Sequence, residues 1–412
     1  MTTVPQLLLE RATAYPADVA TREFRLGIWE EATWMAVRDD AATIGSGLAS
    51  LGVSQGDVVA IVAANGPAWL TLEFGTIGLG ASVLAVPQDF SPATTRTVVA
   101  HAQPKVVLVG DQEQFDKLDG IDAIVVVAAT RGLRHLDRPG RADADRVLTL
   151  DQLRARGANP GSWMKLVEQG ARDDAIAVTF ATAEAGSIAL ISKTNAQIVA
   201  DGRAAVATLA LVGTDATVVL RPLADPAEHA VSVIGSLVSG ARLHFGEEGL
   251  LAAAMRQVQP TVVHASAEWL NGQAATVDHL REDARGVKRL AIERGLVQRP
   301  PRTTLRASAH RPMIRVFGLG ALAAVVAFLL ATVSGNDVMR VGVVLAIGVA
   351  AGAALLFSGH GAAGPTRRRL GLGRCRAVAI EAGAVGERAL GLLGALDVPV
   401  VTLPVVRSEV VV

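Results

Sequence analysis

Between Asp173 and Asn195 the chain reads DDAIAVTFATAEAGSIALISKTN: a strand-like apolar run, a short loop with Thr182, Gly186 and Ser187, and a second run leading into a helical pattern. Residues of these types can hold a phosphate. Glycines let backbone N–H groups converge on an anion, a Ser or Thr hydroxyl adds a donor, and a lysine supplies positive charge. From Ala181 to Gly186 the loop keeps one glycine, one hydroxyl and no lysine. Glu184 in its middle would set a negative charge against a triphosphate, and at roughly 4 Å that repulsion costs about 1 to 4 kcal/mol. The outline is that of a nucleotide grip, but the gripping groups are missing. Taken alone it reads as a strand, a turn and an amphipathic stretch.

Other residue types invite chemistry and carry less of it. His264 and Glu268 have the i, i+4 spacing of a metal pair, but no third ligand stands near them in sequence, and a surface position at a helix start is the reading adopted. His229 beside Glu228 reads as a solvated helix face. Trp163 and Trp269 read as core or interface aromatics. Cys375 is the one cysteine, so no internal disulfide forms, and in the strand-like RCRAVAI it reads as a small buried residue. No metal site is expected, and no catalytic residue is assigned.

The elements that must position the loop follow from pattern. Apolar strand-like runs at Val58–Ala63, Ser82–Val86, Lys105–Val109 and Ala123–Ala128 alternate with helical patterns starting at Pro67 and Pro92, which predicts a parallel sheet covered by helices. The runs are continuous in Val, Ile and Ala, as in strands buried on both faces. Half of the 412 residues are hydrophobic and 19% are charged, with 39 basic and 39 acidic side chains. That composition fits a folded chain and argues against nucleic-acid binding, which calls for a basic surplus on one face.

Two uncharged apolar runs, Val316–Val333 and Val341–Phe357, flank SGNDVMR. At about 1.5 Å per residue each covers roughly 26 Å, close to a hydrocarbon core of about 30 Å. Gly320 with Ala324, and Gly348 with Gly352, would let two helices pack closely in lipid. Arginines 299, 302, 306, 311 and 315 precede the runs and 367–369 follow them. The expectation is a transmembrane hairpin over 313–366, membrane localisation, and cytoplasmic globular parts at 1–312 and 367–412. The first residues lack a basic start and a sustained apolar stretch, so no secretory signal is read there.

Five stretches in order and spacing, Gly47–Pro87, Pro104–Asp111, Leu220–Glu247, Pro260–Gly272 and Leu370–Gly386, resemble the N-terminal domain of adenylate-forming (AMP-binding) enzymes, with long-chain acyl-CoA synthetases the nearest in pattern. The resemblance covers most of the chain. It implies an α/β fold of parallel sheets flanked by helices, here interrupted by the hairpin. The family loop is roughly YTSGTTGxPKGV, against which Phe180 and ATAEAGSIALIS stand about two residues shorter, with Ser187 near the lysine position. RPLAD at Arg221–Asp225 replaces LPLAH, Ser266–Ala267–Glu268 replaces VPR, and IEAGAV at Ile380–Val385 replaces SGGAPL. The adenine-stacking aromatic of YGxTE is absent from Leu403–Glu409, where Glu409 keeps the place of the magnesium-binding acid.

The chain ends at Val412, ahead of the family's ribose-binding Asp and lysine-bearing C-terminal domain. Losing one stabilising donor typically reduces catalysis by about 10² to 10³. The resemblance therefore implies a catalytically inactive, membrane-anchored homologue that binds acyl groups or lipid or serves as a scaffold or regulator. Its partners would be membrane lipid and fatty acid or acyl-CoA, and it would need no cofactor. The alternative is a divergent AMP-dependent fatty-acid ligase using ATP and magnesium, completed by a separate chain carrying the missing domain. A third reading makes the soluble part a platform for a structural or transport hairpin.

Overall fold

A computed structural model of the protein describes residues 2–128, 146–170, 174–184, 187–247, 249–285, 363–381, 385–403 and 410–411. It divides into two compact units. The first is Met1–Ala254 with Val262–His264 and Leu403–Val412; the second is Met255–Thr261 with Ala265–Thr402.

In the first unit an eight-stranded sheet is built from β3 (Val58–Val62), β4 (Ser82–Ala85), β5 (Val106–Val109), β6 (Ile124–Val127), β7 (Val147–Thr149), β8 (Ile176–Glu184), β9 (Ser187–Thr194) and β15 (Val410–Val411), in the order β15-β9-β8-β4-β3-β5-β6-β7. From β8 through β4, β3, β5 and β6 to β7 all neighbours are parallel, and β9 and β15 add antiparallel pairs at one edge. Each strand read from the apolar runs is found within one residue of its expected ends. The reason is visible in β3, where Val59 and Ile61 enter one core cluster and Ala60 and Val62 the other. Both faces are buried, so no polar alternation is required.

One face is covered by α1 (Val4–Ala14), α2 (Trp34–Ser50), α3 (Pro67–Gly78), α6 (Leu150–Arg156) and α7 (Pro160–Gln169), and the other by α4 (Pro92–Ala102) and α5 (Gln112–Asp116). Starts are set by local chemistry. Pro67 and Pro92 occupy the first turns of their helices, where a missing N–H is harmless, and Ser91 Oγ accepts from the Thr94 N–H at 3.1 Å. Trp163 of α7 reaches between α2 and α3 and donates to the Gly75 carbonyl at 2.8 Å. A Cβ on Gly45 or Gly78 would stand 2.2 or 2.3 Å from its ring, so the slot exists only because both positions are glycine.

A second sheet in this unit, β10-β11-β1-β2, comprises β1 (Val19–Arg25), β2 (Ile28–Thr33), β10 (Ala216–Val218) and β11 (Arg242–Phe245). It buries His244, whose Nδ1 lies 3.1 Å from the Thr217 carbonyl and whose ring stands edge-on to Trp29 at 5.6 Å. The unit also holds α8 (Asn195–Leu209), α9 (Pro226–Glu228), a π-helical turn (His229–Ile234), α10 (Gly235–Ser239) and β12 (Val262–His264). Beyond them α11 spans Leu251–Val258.

The second unit contains α12 (Ala267–Glu282), α13 (Ala363–Arg369), β13 (Ala377–Glu381), α14 (Glu387–Ala395) and β14 (Val400–Leu403). The Val378 N–H donates to the Pro399 carbonyl at 2.9 Å. Cys375 is fully buried before β13, and burial pushes its thiol up to about 12.

The expected membrane-spanning hairpin and membrane localisation are corrected: among the described residues no helix is long and apolar enough to cross a membrane. The runs Val316–Val333 and Val341–Phe357 lie outside the described residues. The longest described helix, α2, has 17 residues and carries Arg38, Asp39 and Asp40. Its apolar face is buried in the core instead, as expected of a surface helix in an α/β layer.

Candidate functional site

The carboxyl ends of β3, β4, β5 and β8 lie along one edge of the parallel sheet, because these strands run in the same direction. Open parallel α/β sheets bind ligands at such an edge. Asn65, just beyond β3, fastens the segment after β10 to it: its side-chain amide donates to the Arg221 carbonyl at 2.8 Å and its Oδ1 accepts from the Leu223 N–H at 2.8 Å. Strand β8 delivers the loop read from the sequence to the same edge.

The strands on either side of that loop, β8 and β9, form an antiparallel pair. β8 and β9 pair antiparallel from Ile176↔Thr194 to Glu184↔Ser187, so only two residues separate the last paired positions. Thr182 stands on β8 with its hydroxyl donating to the Ala189 carbonyl at 3.3 Å, and Ser187 is exposed on β9. Gly186 lies outside the described residues, as does Glu409. No basic side chain occurs from Ile176 to Ser192; the next, Lys193, is engaged by Asp201. Of the four residues picked from the sequence, the structure therefore brings Thr182 and Ser187 onto one hairpin.

The motif departures serve as helix caps. Asp225 Oδ1 accepts from the Ala227 and Glu228 N–H groups at 3.0 and 2.8 Å and starts α9, while its Oδ2 is held by Arg221 at 2.5 Å. Ser266 Oγ accepts from the Trp269 N–H at 3.1 Å and starts α12. A short side chain with an oxygen is what an N-cap requires.

Two histidines are placed against expectation. His229, read as part of a solvated face, is 1% exposed, with Nε2 2.7 Å from Glu73 Oε1. His264, read as a surface residue, is also 1% exposed, with Nδ1 2.7 Å from Glu228 Oε2. Both are drawn inward because a buried carboxylate on another element completes them. Glu73 was missed. It sits in the apolar helix PAWLTLEFGTIG, where a lone acid among hydrophobic residues was the available signal. Among the described residues no group of three or more His, Cys, Asp or Glu side chains is arranged to hold a metal ion.

Comparison with known proteins agrees with this architecture. The family model described as AMP-binding enzyme matches residues 8–351. The chain is 30% identical over 77 residues to a probable acyl-activating enzyme 22 of Arabidopsis thaliana, a stretch that is 19% of this chain and 14% of that protein. The N-terminal domain of FACL13 from Mycobacterium tuberculosis is similar with a TM-score of 0.57 at 13% identity, over 98% of this chain and 76% of that one. A long-chain-fatty-acid-CoA ligase (FadD1) from Archaeoglobus fulgidus gives 0.54 at 13% identity, over 67% and 53% of the two chains. VinN, solved with L-aspartate, gives 0.53 at 18% identity, over 68% of this chain and 66% of its own. These identities speak to the fold, and the fold agrees with a family model that runs through most of the sequence: the chain belongs to the AMP-binding, adenylate-forming enzymes.

Proposed function

We propose that this chain is a member of the family that does not form adenylates and serves as a binding or regulatory protein for a fatty acid or acyl-CoA. The observation that carries the reading is the β8–β9 register. A phosphate cradle needs several convergent backbone N–H groups and a cation, whereas Thr182, Ala183 and Glu184 are aligned in the ladder with Ala189, Ile188 and Ser187. Enzymes of the family use ATP and magnesium, and the residues present do not fit them. The Thr182 hydroxyl is engaged by a carbonyl, the nearest lysine is paired to Asp201, and Ser187 holds the place where a cation would stand. No step through a nucleotide is derived from this hairpin.

A second reading is supported by the length of the family match and by neighbours described as fatty-acid ligases. In it the chain is a divergent AMP-dependent fatty-acid ligase completed by a separate chain with a lysine-bearing domain. Calorimetry of the full chain with ATP and magnesium, with a long-chain fatty acid in a parallel titration, separates the two. The proposed function expects binding of the fatty acid, no binding of ATP, and no ATP–pyrophosphate exchange. ATP binding at micromolar concentration would overturn it, and exchange that appears only on adding a partner fraction would establish the ligase reading.

A further inference from the structure

The four-stranded sheet of the first unit ends on β2: in the order β10-β11-β1-β2, no strand pairs beyond it among the described residues. A sheet edge presents unpaired backbone N–H and C=O groups, which proteins ordinarily cover or blunt. The hairpin that carries this edge breaks two local rules. Leu26 and Gly27 form its two-residue turn, with φ of 53° and 86°. Positive φ at both positions suits Asn or Asp followed by Gly, and a leucine there is strained. The Leu26 and Ile28 side chains are 64% and 62% exposed, more than any other large hydrophobic side chain among the described residues. Neither turn propensity nor burial accounts for two large apolar groups at the tip, and local rules broken in this way are expected at functional positions.

The register decides which backbone groups face outward. Antiparallel pairs alternate between bonded and non-bonded, and a two-residue turn is closed by a bonded pair. Counted from Arg25↔Ile28, Glu23↔Glu30 is bonded within the hairpin and Arg22↔Glu31 is not, so the Glu31 N–H and C=O point away from β1. The Glu31 carboxylate is held by Arg22 at 2.9 Å. Glu23 and Glu30 stand directly opposite each other, an arrangement of like charges that weakens a ladder. Burial raises the half-buried Glu23 carboxyl above its ordinary value, Arg25 opposes the rise and Glu30 adds to it. Glu30 is exposed and makes no ion pair among the described residues. These charges select what can pair with the edge. A second copy adding its own β2 would bring more glutamates beside Glu30 and Glu31, whereas a lysine or arginine would relieve the repulsion.

We propose that β2 is a docking edge for an extended segment of a partner protein, which adds a strand beside Glu31, sets an apolar side chain against Ile28 and Leu26, and sets a lysine or arginine against Glu30. Main-chain bonds to an added strand give affinity, and the side chains along it give selectivity. Ile28 and Glu30 lie two residues apart and so share one face of the strand. The segment that fits therefore carries its apolar and basic residues two apart as well. The edge belongs to a different sheet from the β8–β9 pair, and docking there does not depend on the function proposed above.

The test is fluorescence anisotropy of the full chain with a labelled peptide in which valine and lysine alternate along one face of a strand and threonine fills the other, against the same peptide with glutamate for lysine. Wild type should bind the lysine peptide more tightly by about fivefold, the scale of one cross-strand charge pair, and Glu30→Lys should reverse the order. Glu31→Pro removes an outward N–H, which an edge strand tolerates, and should abolish binding with Tm unchanged. Leu26→Asn gives the turn its preferred residue; it should raise Tm while weakening the peptide, and it stands in for Glu31→Pro if that variant does not fold. No binding by wild type, equal binding of the two peptides, or full binding by Glu31→Pro overturns the docking edge. A wild-type dimer in sedimentation that Glu31→Pro dissociates also overturns it, by giving the edge to a second copy.

Discussion

Replacing His244 by Gln should flatten the acid side of the stability curve. His244 is 2% exposed, and burial, then the nearby positive charges of Arg22 and Arg242, lower its imidazole from 6.5 to about 4, partly opposed by its bond to the Thr217 carbonyl. The native value lies below the unfolded one, so as pH falls through 6.5 the unfolded chain binds a proton that the native chain refuses. Stability is then present above that value and is lost toward pH 4. The drop from 6.5 to about 4 corresponds to about 3 kcal/mol in all, at about 1.4 kcal/mol per pH unit. Gln keeps an N–H donor for the Thr217 carbonyl and does not titrate. Urea denaturation across this range, read by tryptophan fluorescence, should show wild type losing about 3 kcal/mol more than His244→Gln. Curves that fall in parallel, or a His244 ring already protonated at pH 6.5 by NMR, would show that the ring is not desolvated as the β10-β11-β1 packing requires.

The remaining predictions concern packing and reactivity. Gly78→Ala places a methyl 2.3 Å from the Trp163 ring and should destabilise the first unit by about 1 to 3 kcal/mol or more, read as a lowered denaturation midpoint with loss of the buried tryptophan signal. An unchanged midpoint would mean that α7 is not fixed between α2 and α3. Cys375, with its thiol pushed up to about 12 by burial, should resist thiol reagents at neutral pH in the native protein and react fully in denaturant. Rapid native labelling would contradict its burial before β13.

Continuous apolar runs located β3, β4, β5 and β6 to within a residue because a strand buried on both faces needs no partner to declare itself. Pro67 and Pro92 marked helix starts because proline fits only the first turn. The composition of the loop is equally local: between Ala181 and Gly186 the sequence has one glycine, one hydroxyl and no lysine. Other features depended on what meets across the fold. Glu73 and His229 are 156 residues apart, and nothing in either neighbourhood announces that the two will meet. His264 faced Glu268 in sequence and Glu228 in space, since a strand end turns its side chain toward whatever packs beside it. A hydropathy pattern favoured a membrane hairpin over 313–366, but the apolar runs behind it lie outside the described residues, among which no helix is long and apolar enough to cross a membrane. Local chemistry was therefore set by the sequence alone, whereas the pairing of buried polar side chains was decided by tertiary structure, because a polar group taken from water is stable only where distant chain segments bring its hydrogen-bond partner.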